Sequence, residues 1–259
     1  MSIGKGILEI RNLSKSFVVD NNLLKVLNDI NITIPPGNFI SIIGSSGCGK
    51  TTLLRIVLGL ETNYEGDALI DGEQIEGPGI NRGIVFQDHR LLPWLTVGEN
   101  VAFGLDGKSR KEAEVIVDEH LKLVGLNGFK SAYPCQLSGG MAQRAAIARA
   151  LANKPEILLL DEPLGSLDAM TRMHMQKELE RIWLFEKITM ILVTHDVEEA
   201  IYLGDKVVIM SSRPGVIKKI IDIPFTRPRD RSSYDFMQIK AEILEEFHLG
   251  VEHPFIYSI

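Results

Sequence analysis

Three short stretches carry side chains whose types and spacing suit phosphate chemistry. Gly44-Ser45-Ser46-Gly47-Cys48-Gly49-Lys50-Thr51 fits the pattern G-x-x-x-x-G-K-[ST]. A polyphosphate carries several negative charges that must be met without bulky side chains. Glycines let backbone N–H groups converge on its oxygens. A helix opening near Lys50 adds the positive end of its dipole. Lys50 is then expected to reach the β- and γ-phosphates, the Thr51 hydroxyl to ligate Mg²⁺, and Thr52 to add an α-phosphate contact. Cys48 falls at a variable position and reads as a small side chain that fits, not as a reactive thiol.

The second stretch, Ile157-Leu158-Leu159-Leu160-Asp161-Glu162, is an apolar strand ending in two carboxylates. Beside the phosphate loop, Asp161 would come near Mg²⁺ through a water. Glu162 would point on toward an attacking water, as general base or at least as its positioner. A strand also ends in charges simply on reaching solvent; the loop upstream favours the chemical reading. The third stretch, Thr194-His195-Asp196, follows the apolar run Met190–Val193. His195 there could contact a γ-phosphate and sense its loss, although a lone histidine at a strand end is usually structural. His89, His120, His174, His248 and His253 show no ligand spacing and read as surface or core residues.

These residues need a scaffold to bring them together. Ile7–Ile10 and Phe17–Val19 read as short strands around a polar turn, and Asn28–Ile34 alternates like a half-exposed antiparallel strand. Asn38–Ile43 reads as a buried strand entering the glycine loop, with the helical stretch Thr51–Leu60 leaving it. Leu69–Asp71 and Gly83–Phe86 read as further strands. From about Asp88 to Ala152 the periods turn helical, with Lys111–Val124 amphipathic and Gln143–Ala152 rich in alanine. Strand patterns return at Ile157–Leu160, Thr189–Val193 and Lys206–Met210. Strands alternating with helices predict an α/β fold with a largely parallel sheet, interrupted by a helical subdomain over about 88–152. Past the turn Arg213-Pro214-Gly215 and the charged loop Arg227–Arg231, Phe236, Ile239, Ile243 and Phe247 recur at helical spacing. They predict a short extension over 216–259 whose amphipathic helix docks on the protein's own surface.

Composition bounds the function. At 259 residues, 45% hydrophobic and 24% charged, the chain can bury a core and is not disordered, collagen-like or disulfide-stapled. The net charge of −6 argues against a nucleic-acid partner, which would favour a basic excess. Cys48 and Cys135 lie far apart with no CxxC pair, which suits a reducing compartment. No apolar run approaches the roughly 18 residues of a membrane span. The first residues hold no apolar signal core before Glu9 and Arg11. The expectation is a cytoplasmic protein whose membrane role comes through a partner.

One further motif points to a family. Leu137-Ser138-Gly139-Gly140-Met141 precedes the Gln143–Ala152 helix. Alone, it is a plausible helix N-cap. Lying between the phosphate loop and the acidic strand, it resembles the LSGGQ signature of ATP-binding cassette (ABC) ATPases, and the order of all the motifs matches. The resemblance covers roughly residues 7 to 215. It implies a P-loop NTPase (RecA-like) α/β core with an antiparallel β subdomain and an inserted helical signature subdomain, an ATPase domain over 1–215, and ATP with Mg²⁺. It implies that Gly44, Ser45, Ser46, Gly47, Cys48, Gly49, Lys50, Thr51 and Thr52 hold the phosphates. Phe17 matches the aromatic stacked on adenine; its ordinary alternative is a core aromatic. Gln87 matches the glutamine that ligates Mg²⁺ and couples to a membrane partner. Thr51, Gln87 and Asp161 would be the metal ligands, and Glu162, His195 and Lys50 the catalytic groups, with His195 matching the switch histidine. Ser138, Gly139 and Gly140 would bind the γ-phosphate of ATP held by a second copy, and Ser166-Leu167-Asp168 would cross that interface. The resemblance thus implies an ATP-sandwich dimer. Met141, where the family usually has Gln, leaves Ser138 and Gly140 in place.

Pro134–Arg149, Leu91-Leu92-Pro93-Trp94 and the ending Pro224-Phe225 with Arg227-Pro228-Arg229-Asp230 look like the importer branch for nitrate, sulfonate and taurine. The expected protein is a peripheral ATPase on the cytoplasmic face of the inner membrane. It would energise an integral-membrane permease, supplied indirectly by a solute-binding protein. Bicarbonate, cyanate or a thiamine precursor are alternative solutes. A non-transport ABC ATPase acting on DNA or ribosomes is the alternative class. That class usually has a long coiled-coil insertion or two cassettes, and neither is visible. The run Leu91–Leu95 suggests a groove for a partner helix, or else the subdomain's own core.

Overall fold

The computed structural model describes residues 6–105 and 107–248. His253 and the end of the 216–259 extension lie outside the described residues.

The chain opens with β1 (Leu8–Val19), β2 (Asn22–Ile34) and β3 (Phe39–Gly44), followed by α1 (Lys50–Val57), β4 (Glu65–Ile70), β5 (Glu73–Gln74) and β6 (Arg82–Val85). Where two strands around a turn were expected, β1 is continuous. Its register against β2 shifts after Ile10, and Asn12 takes a left-handed φ of 50°, so the polar residues form a bulge within one strand. Between β6 and β7 (Ile157–Asp161) lie α2 (Val97–Ala102), α3 (Arg110–Leu123) and α4 (Gly139–Leu151). Capping boxes Thr96/Glu99 and Ser109/Glu112 start α2 and α3. Then follow α5 (Ala169–Glu186), β8 (Thr189–Thr194), α6 (Val197–Leu203), β9 (Lys206–Met210), β10 (Ile217–Asp222) and α7 (Tyr234–His248).

Two sheets result. β2-β1-β4-β5 is antiparallel. The other runs β10-β9-β3-β8-β7-β6, parallel except for β10 at its edge. β10 lies past residue 215 yet pairs with β9, so the sheet crosses the boundary expected there.

The inner parallel strands β3, β7, β8 and β9 are buried on both faces, which is why they read as continuous apolar runs. In β3, Phe39 and Ile43 face the helical core, while Ile40 and Ile42 face α1 and the antiparallel sheet. In β7, Leu158 and Leu160 take the first side, and Ile157 and Leu159 the second. Phe236 and Ile243 of α7 join the helical core, and Ile239 and Phe247 pack against it.

The strand order decides where chemistry can occur. Ile43 pairs with Thr194, Asp161 with Val193 and Val85 with Leu160. The loops leaving β3, β8, β7 and β6 therefore emerge side by side at the carboxyl edge of the sheet, the usual place for a ligand in an open α/β fold.

Candidate functional site

The loop between β3 and α1 bends through glycine. Gly47 and Gly49 have φ of 75° and 103°, and a Cβ on Gly49 would stand 2.6 Å from Leu27 Cδ2. The Cys48 thiol is buried under the loop; a Cβ on Gly44 would come within 2.7 Å of its sulfur. The thiol therefore packs, and does not face the cleft. Lys50 is also buried, its Nζ donating to the carbonyls of Gly44 (2.7 Å) and Ser45 (3.0 Å). The ammonium thus sits within the curve of the loop.

A cavity of about 380 Å³ opens over this loop. Of the residues singled out in the sequence, Phe17, Ser46, Gly47, Gly49, Lys50, Thr51, Thr52 and Glu162 border it; Gly44, Ser45 and Cys48 do not. Phe17 is half-buried at the β1 end, with the Lys15 ammonium 4.5 Å from its ring centroid. Lys15 is held in turn by Glu61 at 2.9 Å. That pairing holds the Glu61 carboxyl below its usual range, against the opposing effect of burial.

Thr51 Oγ1 reaches Asp161 Oδ1 at 3.4 Å across 110 residues of sequence. Burial raises the pKa of Asp161 above the usual carboxylate range, and the Thr51 hydroxyl only partly offsets this. A cation beside these two hard oxygens would reverse the penalty, so the donor pair fits Mg²⁺, which needs few protein ligands when phosphates and waters complete its shell. Glu162, the next residue, has a left-handed φ of 47°. Such a backbone is uncommon in a non-glycine residue and clusters at functional sites. Its Oε2 lies 3.1 Å from His195 Nδ1. Gln87 is exposed just past β6, with its Nε2 3.3 Å from where a Gly165 Cβ would stand. α4 pins the loop carrying it: Gln143 donates to Phe86 O at 3.3 Å, and Arg149 to Arg90 O (2.7 Å) and His89 O (3.0 Å).

Ser138, Gly139 and Gly140 are not brought to this cavity. Ser138 caps α4, its Oγ accepting from Met141 N at 3.3 Å, and both Ser138 and Gly139 are exposed. Gly140 is buried against Thr171. A second helix start thus faces solvent with free N–H groups, able to meet an anion carried by another molecule. Asp168 caps α5 by accepting from Thr171 N, and the Thr171 hydroxyl, with that backbone N–H second, lowers its pKa.

The run Leu91–Leu95 divides between the two readings. Leu91 belongs to the core at 7% exposure, whereas Trp94 is 69% exposed. Asn100, fully buried, holds the loop in shape: it accepts from Leu92 N at 2.7 Å and donates to the carbonyls of Leu92, Leu95 and Thr96.

Two residues near the site carried no sequence signal. Arg213, expected only as part of a turn, borders the cavity and donates to Gly47 O at 3.3 Å from 166 residues away. Glu199, beside an ordinary-looking Glu198 in α6, is buried beneath the His195 turn. A turn arginine and a helix glutamate say nothing locally about such distant neighbours.

Comparison with known proteins agrees with this geometry. A family model described as ABC transporter matches residues 27–165. The chain is 49% identical over 233 residues to an aliphatic sulfonates import ATP-binding protein of Bacillus subtilis, covering 90% of this chain and 91% of that protein. It is 40% identical over 261 residues to a nitrate import ATP-binding protein of Synechococcus elongatus, covering 97% and 95%. It is 51% identical over 239 residues to an uncharacterized ABC transporter ATP-binding protein of Methanocaldococcus jannaschii, covering 92% and 90%. Among solved structures, a dimeric ATP-binding cassette in a post-hydrolysis state with ADP and Pi superposes with a TM-score of 0.73 at 32% identity, over 85% of this chain and 100% of that one. The fold expected from the motifs, a P-loop NTPase core with antiparallel and helical additions, is the fold of these cassettes.

Proposed function

The chain belongs to the ABC transporter family, and from that premise we propose that it is the ATP-hydrolysing subunit of an importer for a small anionic solute. The solute class rests on the sulfonate and nitrate relatives and on the importer-like segments at Leu91–Trp94 and Pro134–Arg149. The observation that carries the hydrolytic reading is the convergence of Lys50, Thr51, Asp161, Glu162 and His195 at neighbouring strand ends.

In this reading ATP lies in the cavity with adenine on Phe17 and its phosphates over residues 44–52. Lys50 turns from the Gly44 and Ser45 carbonyls to the β- and γ-phosphates. Thr51, Asp161 and Gln87 would hold Mg²⁺, which when bound neutralises charge on the phosphate oxygens. Glu162 takes a proton from the attacking water, or positions that water, and His195 contacts the γ-phosphate. The exposed Ser138 and Gly139, with Gly140, complete the γ-phosphate site of a second copy, and Ser166-Leu167-Asp168 crosses the interface. Residues 1–215 carry the ATPase site, with Gln87 at the edge of the 88–152 insertion and Trp94 inside it facing the permease, and 216–259 is an extension whose β10 adds the edge strand to the sheet. No helix among the described residues is long and apolar enough to cross a membrane. The subunit is peripheral, held at the cytoplasmic face of the inner membrane by its permease, and a solute-binding protein delivers the solute.

The test is co-purification and uptake. Tagged protein expressed with its neighbouring permease genes should retain a polytopic membrane protein and support ATP-dependent uptake of a sulfonate or nitrate into vesicles. ATP hydrolysis with no permease recovered and no uptake of either anion would overturn the importer reading.

A further inference from the structure

A buried acid stands behind the His195 turn. Glu199, in the first turn of α6, is 3% exposed. Its Oε2 accepts a 2.5 Å hydrogen bond from the Thr194 hydroxyl. The Thr194 oxygen accepts from Asp196 N at 3.1 Å, and Asp196 Oδ1 accepts from the Glu199 N–H, also at 3.1 Å. One carboxyl thus closes Thr194-His195-Asp196 into a ring. His195, the central residue, meets Glu162 at 3.1 Å.

The other oxygen, Glu199 Oε1, is buried with no hydrogen-bond partner. Beside it is a small cavity bordered by Glu162, Arg172, His195 and Asp196. Leaving a carboxyl oxygen unpaired in the interior is costly, and such exceptions call for a reason beyond packing. From α5, Arg172 and Gln176 face the acid. Gln176 Oε1 accepts from Arg231 in the C-terminal segment, and its amide end favours the Glu199 carboxylate without completing a hydrogen bond to Oε1. Arg172 itself donates to Leu167 O at 3.0 Å and lies 3.7 Å from Asp196. The other cations against α6 are engaged elsewhere: Lys240 of α7 with Glu198, Arg227 with Leu203 O and Asp205, and Arg229 with the carbonyls of Ile201, Tyr202 and Gly204.

We propose that Glu199 is a positioning residue for ATP hydrolysis: through Thr194 it orients His195 toward Glu162, and Arg231 steadies it through Gln176. This rests on the hydrolytic reading of Glu162 and His195. A carboxylate accepts the Thr194 hydroxyl more strongly than a neutral acid does, so the ring tightens when Glu199 loses its proton. Burial raises that group to about 7. The C-terminal segment thereby gains a line of contact to the catalytic pair.

The experiment compares kcat and KM for ATP of the full chain between pH 6 and 8.5, with thermal melts as a control for folding. Glu199→Gln should lower kcat about tenfold at pH 8, leave KM within about twofold, and flatten the rise in kcat through pH 7. Thr194→Val should do the same, and Thr194→Ser, which keeps the hydroxyl, should restore the rate. Arg231→Ala should lower kcat less, again at constant KM. The proposal is overturned if Glu199→Gln keeps the wild-type rate and pH profile, or if kcat and KM worsen together and Thr194→Ser rescues nothing. Lys50→Ala run alongside separates the two readings. If it hydrolyses ATP normally, the hydrolytic site itself is misassigned and this inference fails with it. If it is dead while Glu199→Gln is normal, only this inference fails.

Discussion

His195 Nδ1 and Glu162 Oε2 stand 3.1 Å apart, although 33 residues separate them in the chain. The pairing arises because β8 and β7 are neighbours and each residue leaves the carboxyl end of its strand. Glu162 enters it through a left-handed backbone, φ 47°, anchored by its N–H to Val193 O at 2.9 Å. Glu162 also borders the cavity that Lys50 and Thr51 line.

Glu162→Gln keeps the shape of this contact and removes the charge and the base. Hydrolysis should fall at least about a hundredfold, the scale of a lost general base. On the proposed reading the Lys50, Thr51 and Ser138 contacts to ATP are untouched, so two subunits closed on two ATPs should accumulate. Light scattering with ATP, with ADP and without nucleotide should find a dimer with ATP alone. Normal hydrolysis, or a monomer in ATP at micromolar protein, would rule out both the catalytic role and the closure.

Lys50→Ala should nearly abolish nucleotide binding and turnover, because backbone N–H groups then face the phosphates without the buried ammonium. Phe17→Ala should cost less, roughly 1–3 kcal/mol of affinity by the usual worth of stacking. Titration calorimetry with ATP and ADP measures both. An unchanged affinity in Phe17→Ala would make Phe17 a packing residue only.

Trp94 and Leu91 should part company. Trp94→Ala removes an exposed ring from a loop that Asn100 already holds, so folding and isolated ATPase activity should stay near wild type while transport is uncoupled. Leu91→Ser puts a hydroxyl into the core and should destabilise the protein by about 3 kcal/mol. Urea melts and vesicle uptake separate the two. Equal stability losses in both variants would place Trp94 in the core as well.

Glu199 makes stability depend on pH with a definite sign. Its folded-state affinity for protons is raised, mainly by burial, to about 7, above the ordinary range of an unfolded glutamate. Its stabilising contribution is then complete below the unfolded value and is lost as pH rises through about 7. Glu199→Gln cannot ionise. It should gain on wild type by about 1–3 kcal/mol between pH 5 and pH 8, read from urea melts at each pH. A stability difference that stays constant with pH would contradict this.

Much of the site was legible because its signals are local. The phosphate loop needs glycines and a Lys-Thr pair within eight residues, the acidic pair needs only an apolar strand before it, and the signature needs a capping serine before two glycines. Periodicity likewise located β3, β7, β8, β9 and α3 within a residue or two, since strands buried on both faces read as apolar runs. Spacing does not report pairing. The order β3-β8-β7-β6 alone makes neighbours of Thr51 and Asp161 across 110 residues, and sheet order depends on packing that no local pattern records. The same holds for Arg213 on Gly47, for β10 carrying the sheet past residue 215, and for Leu91 turning inward while Trp94 turns out. Glu198 and Glu199 are the plainest case. They are identical neighbours in sequence, and only the seating of α6 against β3 and α5 leaves one paired with Lys240 at the surface and buries the other behind the histidine.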